Sequence, residues 1–466
     1  EGKPYSFEAD RREFVQTLGA GIMVAFAASR AQAQRGRSAR RDEPLSDRFH
    51  FAEDGIITVM TSKVEVGQGS RTQISQAAAE EFRVPVDRIR LIMADTELCP
   101  DDGGTAGSRT TPSTVPRVRN AAAAARDVLT KMAAQQLGVA DVKWSNGEFV
   151  ADNGKSISMT ELATTKPAEA MMRSASPGSS IEITPVAEWS VLGTNVSKID
   201  GKEIVTGSHR YPSDIIRPNM MYGKVLRPIA YGATLEAVDL TGAENLEDVT
   251  VVRDGDFVGC VAPTSWQAEK ALEELASTTK WHQSAPAQTS SEKLFDYLKQ
   301  TGRESGGGRN RAKSWGNVRE ALSNASKKLE TQYTVAYVQH APMEPRAAVA
   351  EWMDGKLTVW TGVDGPHRVQ GDLSRALGVA ADRVRVIVPD MGGGFGGKHT
   401  GEAAEEAARL ARAARRPVAV HWTRAEEFTW AYFRPAAAIQ CQAGLDENGS
   451  LVAWDFTNVN AGSSAI

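Results

Sequence analysis

Apolar residues along the chain follow two periods, and together these periods predict a mixture of strands and helices. Short apolar runs predict strands over residues 56–60, 88–94 and 383–389. Alanine-rich stretches with apolar residues at helical spacing predict helices over residues 72–82 and 120–137. Because strands and helices alternate irregularly, the pattern favours an α+β fold over a doubly wound parallel sheet.

The same two patterns continue through the rest of the chain. Further strands are predicted over residues 220–226, 249–252, 257–261, 332–338, 347–352 and 357–360. Further helices are predicted over residues 266–276, 369–377 and 401–414. Beyond the N-terminal region no segment has the length and apolarity of a transmembrane helix, so none is predicted.

The first residues have the pattern of an export signal. Two arginines at positions 11 and 12 precede an apolar stretch of small residues over 18–28, and residues 31–33 form an A-x-A cleavage pattern. The arginine pair resembles a twin-arginine signal, which exports proteins already folded around a cofactor. We therefore expect residues 1–33 to be removed and the protein to be periplasmic. An amphipathic surface helix is the alternative interpretation.

Length and turn-forming residues divide the chain into units. Its 466 residues exceed one ordinary domain. The predicted units cover residues 45–150, 190–300 and 320–466, and residues 151–189, with their Pro, Ser and Gly, are predicted to form a linker. The chain begins with Glu rather than Met and ends after a strand-like run, so we expect it to be a piece of a longer protein.

Charge and cysteine content narrow the possible partners. The formal net charge of −4 is small for this length, so nothing indicates a nucleic-acid partner. The three cysteines, Cys99, Cys260 and Cys441, form no C-x-x-C pair. Since an iron–sulfur cluster needs about four thiolates, the chain cannot hold one unaided. The cysteines are interpreted as core or surface thiols.

A glycine-rich run at residues 391–398, hereafter the glycine loop, lies between a predicted strand and a predicted helix. Glycines let the backbone approach a ligand closely and let successive N–H groups point into one concavity. The run also matches the P-loop pattern G-x-x-x-x-G-K, which would indicate a nucleotide hydrolase. The next residue is His399, where a P-loop has Ser or Thr.

The glycine loop resembles the loop of xanthine oxidase, aldehyde oxidase and their bacterial relatives that packs against molybdenum. By this resemblance Phe395 and Gly396 lie beside the oxo ligand of the metal, and Gly394 belongs to the same cofactor-binding loop. Residues 339–350 resemble the H-x-x-M-E-P segment of that family. Residues 200–227 resemble the start of its α/β-hammerhead domain.

Two segments near the N-terminus carry the rest of the resemblance. Residues 63–69, hereafter the GQG turn, resemble the family's pterin-binding turn. Residues 105–111, hereafter the hydroxyl loop, resemble the loop that holds the pterin and its phosphate tail. Hydroxyl and backbone N–H groups suit that task because pterin edges and phosphate oxygens need fixed donors. The cofactor-binding residues implied by these segments are Gly67, Gln68, Gly69, Thr105, Gly107, Ser108, Arg109 and Thr110.

The order of these segments resembles one branch of the family. In xanthine oxidase the GQG turn and hydroxyl loop follow the glycine loop, whereas here they precede it. That permuted order resembles the branch that contains the β-subunits of isoquinoline 1-oxidoreductase. It implies that residues 45–150 and 320–466 form the molybdopterin-binding domain, truncated at its C-terminus, with the α/β-hammerhead domain at residues 190–300 between them.

The resemblance also implies a function. It predicts molybdenum–molybdopterin, in its cytosine dinucleotide form, and hydroxylation of an N-heteroaromatic compound or an aldehyde with oxygen from water. Electrons would pass to a small iron–sulfur subunit and then to a periplasmic c-type cytochrome. The family's catalytic base is a glutamate in a G-x-G-E motif. That motif does not occur in these 466 residues, so we expect the base to lie beyond them and the chain alone to be inactive.

The sequence departs from the family at two further positions, and several structural alternatives stay open. Asp364 stands where several relatives have a glutamine near molybdenum, and His399 where xanthine oxidase has its purine-binding glutamate. Xanthine is therefore not expected as the substrate, and a cofactor-free scaffold of the same fold remains an alternative. Some candidate residues also have purely structural interpretations, as turn or cap residues (Gln68, Ser108, Thr110), a buried histidine (His340) or a solvated strand charge (Glu65).

Overall fold

The computed structural model describes residues 44–145, 147–163, 165–177, 181–283, 289–303 and 314–462. They form the α+β fold that the apolar pattern predicts. The predicted export signal lies outside the described residues. Among the helices of the described ranges, none combines the length and apolarity needed to cross a membrane.

Twelve helices are present in the described residues. They are α1 (Ser70–Phe82), α2 (Val115–Leu137), α3 (Met159–Ala163), α4 (Lys166–Ser174), α5 (Gly201–Val205), α6 (Thr241–Glu244), α7 (Ser265–Thr278), α8 (Leu294–Thr301), α9 (Val318–Asn324), α10 (Pro366–Leu377), α11 (Glu402–Ala414) and α12 (Arg424–Trp430).

The described residues also form eighteen strands in five sheets. The strands are β1 (Phe49–Phe51), β2 (Ile57–Thr61), β3 (Ile89–Met93), β4 (Lys143–Ser145), β5 (Glu148–Val150), β6 (Ser156–Ser158), β7 (Met221–Val225), β8 (Ala233–Ala237), β9 (Thr250–Asp254), β10 (Phe257–Ala262), β11 (Lys280–Gln283), β12 (Lys327–Val335), β13 (Ala347–Met353), β14 (Lys356–Thr361), β15 (Val384–Ile387), β16 (Val418–His421), β17 (Ala437–Leu445) and β18 (Leu451–Asn460).

A seven-stranded mixed sheet forms the centre of the structure, in the order β15-β14-β13-β16-β7-β10-β9. Strands β16 and β7 pair in parallel, so strands from the predicted units 190–300 and 320–466 share one sheet. Helix α11 lies against this junction because Gly223 has no side chain. A Cβ atom there would come within 2.5 Å of Leu410 Cδ1.

The N-terminal part packs a small sheet, β1-β2-β3, against helices α1 and α2. Phe82 of α1 meets Phe49 and Phe51 of β1 edge to face, with ring centroids 5.1 and 5.5 Å apart. All three rings are fully buried. This core is continuous with the packing around the central sheet, since one cluster of buried side chains extends from Leu45 to Ala431.

The segment 151–189, predicted to be a linker, contains β6, α3 and α4. Leu162 and Met172 are buried in the same core as β1. The segment is rich in polar and small residues, so its few buried apolar positions give no clear helix or strand pattern in the sequence. Parts of this segment therefore pack against the core, and the limits of the linker and of the domains stay predictions.

The predicted strands and helices are present, with shifted ends. Helix α2 begins at Val115 rather than at residue 120, because a π-helical turn over Thr110–Thr114 leads into it and Pro116 fits its first turn. Helix α1 begins at Ser70 rather than at residue 72, directly after Gly69 in the left-handed conformation.

Candidate functional site

Glu65 is the centre of the GQG turn. Its side chain is 2% exposed. One carboxylate oxygen, Oε1, accepts hydrogen bonds from the backbone N–H groups of Gly67 and Gly69, each at 2.9 Å. The other, Oε2, accepts from the backbone of Arg71 at 2.9 Å and from the Ser70 hydroxyl at 3.2 Å. The interpretation of Glu65 as a solvated strand charge is therefore wrong, because the carboxylate caps the N-terminus of α1.

The Gln68 side chain folds back on its own turn. Its Oε1 accepts from the Val66 backbone at 2.6 Å, and its Nε2 donates to the Val64 carbonyl at 2.9 Å. Gly67 and Gly69 have φ of +99° and +78°, and no atom lies within 4 Å of a Cβ built on either. The turn thus presents an open, side-chain-free backbone to its surroundings.

The hydroxyl loop is tied to the GQG turn by Thr105. Its Oγ1 accepts from the Val64 backbone at 2.9 Å, and its backbone N–H donates to the Asp364 carbonyl at 2.7 Å. Ser108, with φ of +54°, and Arg109 are exposed. Thr110 is buried at the start of the π-helical turn. The exposed groups of this loop are therefore those of residues 107–109 and 111, with Gly107 at φ +61°.

The glycine loop closes on itself through two short hydrogen bonds. Gly393 N–H donates to the Met391 carbonyl and Gly397 N–H to the Gly394 carbonyl, both at 2.8 Å. Phe395 has φ of +52° and is 73% exposed. A non-glycine residue in the left-handed region is uncommon, and such backbone strain clusters at functional sites. The loop therefore presents one aromatic ring on a backbone that favours glycine.

Lys398 at the end of the glycine loop points into the protein. Its side chain is fully buried, and its Nζ lies 3.3 Å from Glu344 Oε2. Burial lowers the pKa of the ammonium, while the charge of Glu344 acts in the opposite direction. A P-loop lysine must reach bound phosphates. The structure therefore argues against the nucleotide-hydrolase interpretation of the G-x-x-x-x-G-K pattern.

His340 and Arg346 fix the far end of the glycine loop. His340 Nδ1 lies 3.2 Å from the Tyr432 carbonyl, and its ring stacks on that of Tyr432. Burial lowers the pKa of this imidazole. Arg346, 3% exposed, donates to the Gly397 carbonyl and pairs with Glu427 at 2.5 Å. The structure makes His340 a half-buried, hydrogen-bonded histidine beside the loop.

Four segments distant in sequence form one hydrogen-bonded rim. The Met391 backbone donates to the Glu65 carbonyl at 3.0 Å, which joins the glycine loop to the GQG turn. The Asp364 backbone donates to the Lys398 carbonyl at 3.1 Å. Together with the two bonds of Thr105, these contacts connect the GQG turn, the hydroxyl loop, the glycine loop and residues around Asp364.

Some residues of this rim could not be singled out from the sequence. Arg71 donates to Asp390 at 2.5 Å and so braces helix α1 against the residue before the glycine loop. Arg346 lies in the segment 339–350, whose resemblance to the family gives this arginine no partner. Their sequence signal, a charged residue beside a motif, is too common to identify a partner.

Comparisons with known proteins agree with this geometry. Models of the molybdopterin cofactor-binding domain match residues 3–254 and residues 304–465 of the chain. A nicotinate dehydrogenase subunit from Pseudomonas putida is 30% identical over 416 residues, which cover 87% of this chain and 34% of that protein. The β-subunit of isoquinoline 1-oxidoreductase from Brevundimonas diminuta is 26% identical, over 84% of this chain and 56% of its own length.

The matched portion is only part of these longer proteins. The chain spans about a third of the first relative and little more than half of the second. Among solved structures, aldehyde oxidoreductase from Desulfovibrio gigas aligns with a TM-score of 0.49 at 17% identity, over 64% of this chain and 38% of that one.

Proposed function

Because the chain belongs to the molybdopterin-binding subunits of the xanthine oxidase family, we propose that it is the cofactor-holding part of a molybdenum hydroxylase with the cytosine dinucleotide form of the cofactor. The observation that carries the proposal is the hydrogen-bonded rim. The three segments that resemble cofactor-binding motifs are far apart in sequence, yet they adjoin through Met391–Glu65 and Val64–Thr105 bonds of 3.0 and 2.9 Å.

The residues present fit a bound pterin. Gly67 and Gly69 leave open space where side chains would stand, which allows a flat ligand to approach the backbone closely. Ser108 and Arg109 are exposed on the hydroxyl loop, which Thr105 joins to the GQG turn, and a guanidinium and a hydroxyl are suitable donors for phosphate oxygens. Phe395 and Gly396 would form the wall nearest the metal.

The chain's own residues bind and orient in this proposal. The GQG turn, held rigid by Glu65, would fix the pterin edge, and the hydroxyl loop would hold the phosphate tail. The bound cofactor would supply two-electron redox chemistry and activate oxygen from water. The base that accepts the proton remains a glutamate predicted beyond these 466 residues.

The wider assignment follows the permuted motif order. We propose an N-heteroaromatic compound or an aldehyde as substrate, a small iron–sulfur subunit as first electron acceptor, and a periplasmic c-type cytochrome after it. Twin-arginine export would deliver the chain with the cofactor already inserted. The hammerhead assignment of residues 190–300 belongs to the same proposal.

The test is cofactor analysis of the full-length protein, including the predicted base, purified from a host that makes molybdopterin together with its small subunit. We expect molybdenum in equimolar amount and release of CMP on acid hydrolysis. The protein should reduce a dye when a heterocyclic substrate is added. In labelled water the hydroxylated product should carry ¹⁸O. Absence of both metal and nucleotide would favour the cofactor-free scaffold, and release of another nucleotide would overturn the cytosine assignment alone.

A further inference from the structure

Three side chains of types that can bind a metal ion lie close together next to the start of the glycine loop. Asp200 and His209 flank helix α5, and Asp390 directly precedes the glycine loop. Their ligand atoms all lie within 4.8 Å of one another. His209 Nε2 lies 3.3 Å from Asp390 Oδ2, and the side chains of Asp200 and Asp390 are 5% and 6% exposed. The cluster therefore brings together one imidazole and two carboxylates, largely shielded from water.

Two atoms of this cluster have unused bonding capacity. Asp200 Oδ1 and His209 Nε2 are buried, and within the described part of the chain neither makes a well-aligned hydrogen bond, since His209 Nε2 has only the 3.3 Å contact with Asp390 Oδ2. Lys198 lies 2.9 Å from Asp200 Oδ1, but its hydrogen bond goes to Oδ2, and the lysine is 36% exposed. Because buried polar atoms are normally satisfied, these two atoms indicate that a further group belongs between them.

The charges around the cluster leave an excess of negative charge. Two carboxylates, those of Asp200 and Asp390, belong to the cluster, and that of Glu203 lies beside His209. A fourth, the buried Glu65 of the GQG turn, repels the negative charge of Asp390. Against these four negative charges stand two positive ones, Lys198 and Arg71. Counted without His209, the four carboxylates exceed the two cations by two charges, which one divalent cation would balance.

We propose that Asp200, His209 and Asp390 bind a zinc ion. Zn²⁺ takes imidazole nitrogen and carboxylate oxygen as ligands, and three such protein ligands leave a fourth position for water. Glu203 lies 3.6 Å from the other ring nitrogen, His209 Nδ1, where a carboxylate orients a ligating histidine. The ion would join the segment around α5 to the base of the glycine loop.

The ion would also act on the rim indirectly. Asp390 Oδ1 accepts from Arg71 at 2.5 Å, and Oδ2, which accepts more weakly from Arg71 at 3.4 Å, also faces His209, so one carboxylate would serve both. Arg71 in turn follows the GQG turn, whose Glu65 accepts its backbone N–H. Zinc would thus hold Asp390, the residue before the glycine loop, in place. None of its three ligands belongs to the GQG turn, the hydroxyl loop or the glycine loop.

The test is zinc binding by the full chain. The protein is stripped with a chelator, dialysed against ZnCl₂ and analysed for zinc and molybdenum in the same sample. We expect equimolar zinc and a rise of several degrees in the melting temperature. His209→Gln and Asp200→Asn should each weaken zinc binding at least tenfold, whereas His282→Gln, on an exposed position of β11, should retain it.

Two results would overturn the proposal: zinc retention by the unaltered chain no greater than by His209→Gln, or unchanged zinc affinity in Asp200→Asn. If those variants do not fold, Glu203→Gln replaces a mostly exposed residue and should still weaken zinc binding about tenfold or more. Since molybdenum is read separately, loss of zinc with molybdenum retained, or the reverse, distinguishes this proposal from the proposed function.

Discussion

His399 Nδ1 lies 2.9 Å from a carboxylate oxygen of Asp364, and the two side chains are only 11% and 8% exposed. These are the two positions at which the sequence departs from the family motifs. The structure shows that the departures are coupled, because the carboxylate that replaces one expected residue is the partner of the imidazole that replaces the other. A carboxylate at residue 399 would instead have faced Asp364 with like charge.

The coupling predicts non-additive effects on stability. Asp364→Ala and His399→Ala should each lower the free energy of unfolding by about 1–3 kcal/mol, because each leaves a buried polar partner unsatisfied. The double variant should lose less than the sum, with a coupling of about 1 kcal/mol. Chemical denaturation of the three variants measures this. Strict additivity would mean that the contact contributes nothing.

Glu65 should be more important for stability than an ordinary carboxylate. Glu65→Ala removes the acceptor of three backbone N–H groups and one hydroxyl. We expect the free energy of unfolding to fall by about 2–4 kcal/mol, since lost caps and unsatisfied donors cost about 1 kcal/mol or more each. Urea denaturation provides the measurement.

Two matched substitutions test the role of the Glu65 carboxylate. Glu65→Gln retains one acceptor oxygen and should lose about half as much stability. Glu53→Gln, at an exposed position, should change stability by less than about 0.5 kcal/mol. Equal stability of Glu65→Ala and Glu53→Gln would contradict the structural role inferred for the GQG turn.

The buried imidazole of His50 should make the folded protein less stable at acidic pH. Burial, with a smaller effect of Arg90, lowers the pKa of its imidazole from 6.5 to about 4. Between pH 6.5 and 4 the unfolded chain therefore binds a proton at His50 that the folded chain does not bind. The free energy of unfolding consequently falls as the pH drops through this range. The shift corresponds to at most about 3 kcal/mol.

The pH effect can be assigned with one apolar replacement. His50→Phe keeps an aromatic ring at this strand position, and both imidazole nitrogens of His50 lack hydrogen-bond partners among the described residues. Its stability should decline less between pH 6.5 and 4, measured by denaturation at each pH. His282→Gln, at an exposed position, should leave the curve as steep as before.

Secondary structure followed from the sequence because apolar periodicity reports which face of an element is buried. The run Leu357, Val359 and Trp360 predicts β14, and α11 follows from its alanines. Pairing between distant strands is not encoded locally. The parallel contact of β16 with β7 depends on a glycine at residue 223 that admits Leu410, and only the assembled structure brings them together.

The site was predictable to the extent that its residues lie in motifs. The GQG turn, the hydroxyl loop and the glycine loop were each recognised from contiguous residues, and their contacts agree with one site. Thr105 and Gln68 were predicted to hold the cofactor, yet in this conformation the Thr105 hydroxyl joins the hydroxyl loop to the GQG turn, and the Gln68 side chain bonds within its own turn. A motif identifies residue types, whereas the direction of a side chain depends on partners elsewhere in the chain.

Two glycines of the glycine loop should differ in how much stability the same substitution costs. A Cβ on Gly397 would lie 2.9 Å from Cγ and Nδ1 of His340, which Tyr432 holds in place. Gly397→Ala should therefore lower the free energy of unfolding by about 1–3 kcal/mol through overpacking.

A Cβ on Gly394 would meet nothing closer than 3.5 Å, from Met391, and neither glycine has a positive φ. Gly394→Ala should consequently stay within about 0.5 kcal/mol of the parent chain. Denaturation of both variants compares them directly, and equal losses would show that backbone conformation, rather than the contact with His340, requires the glycine.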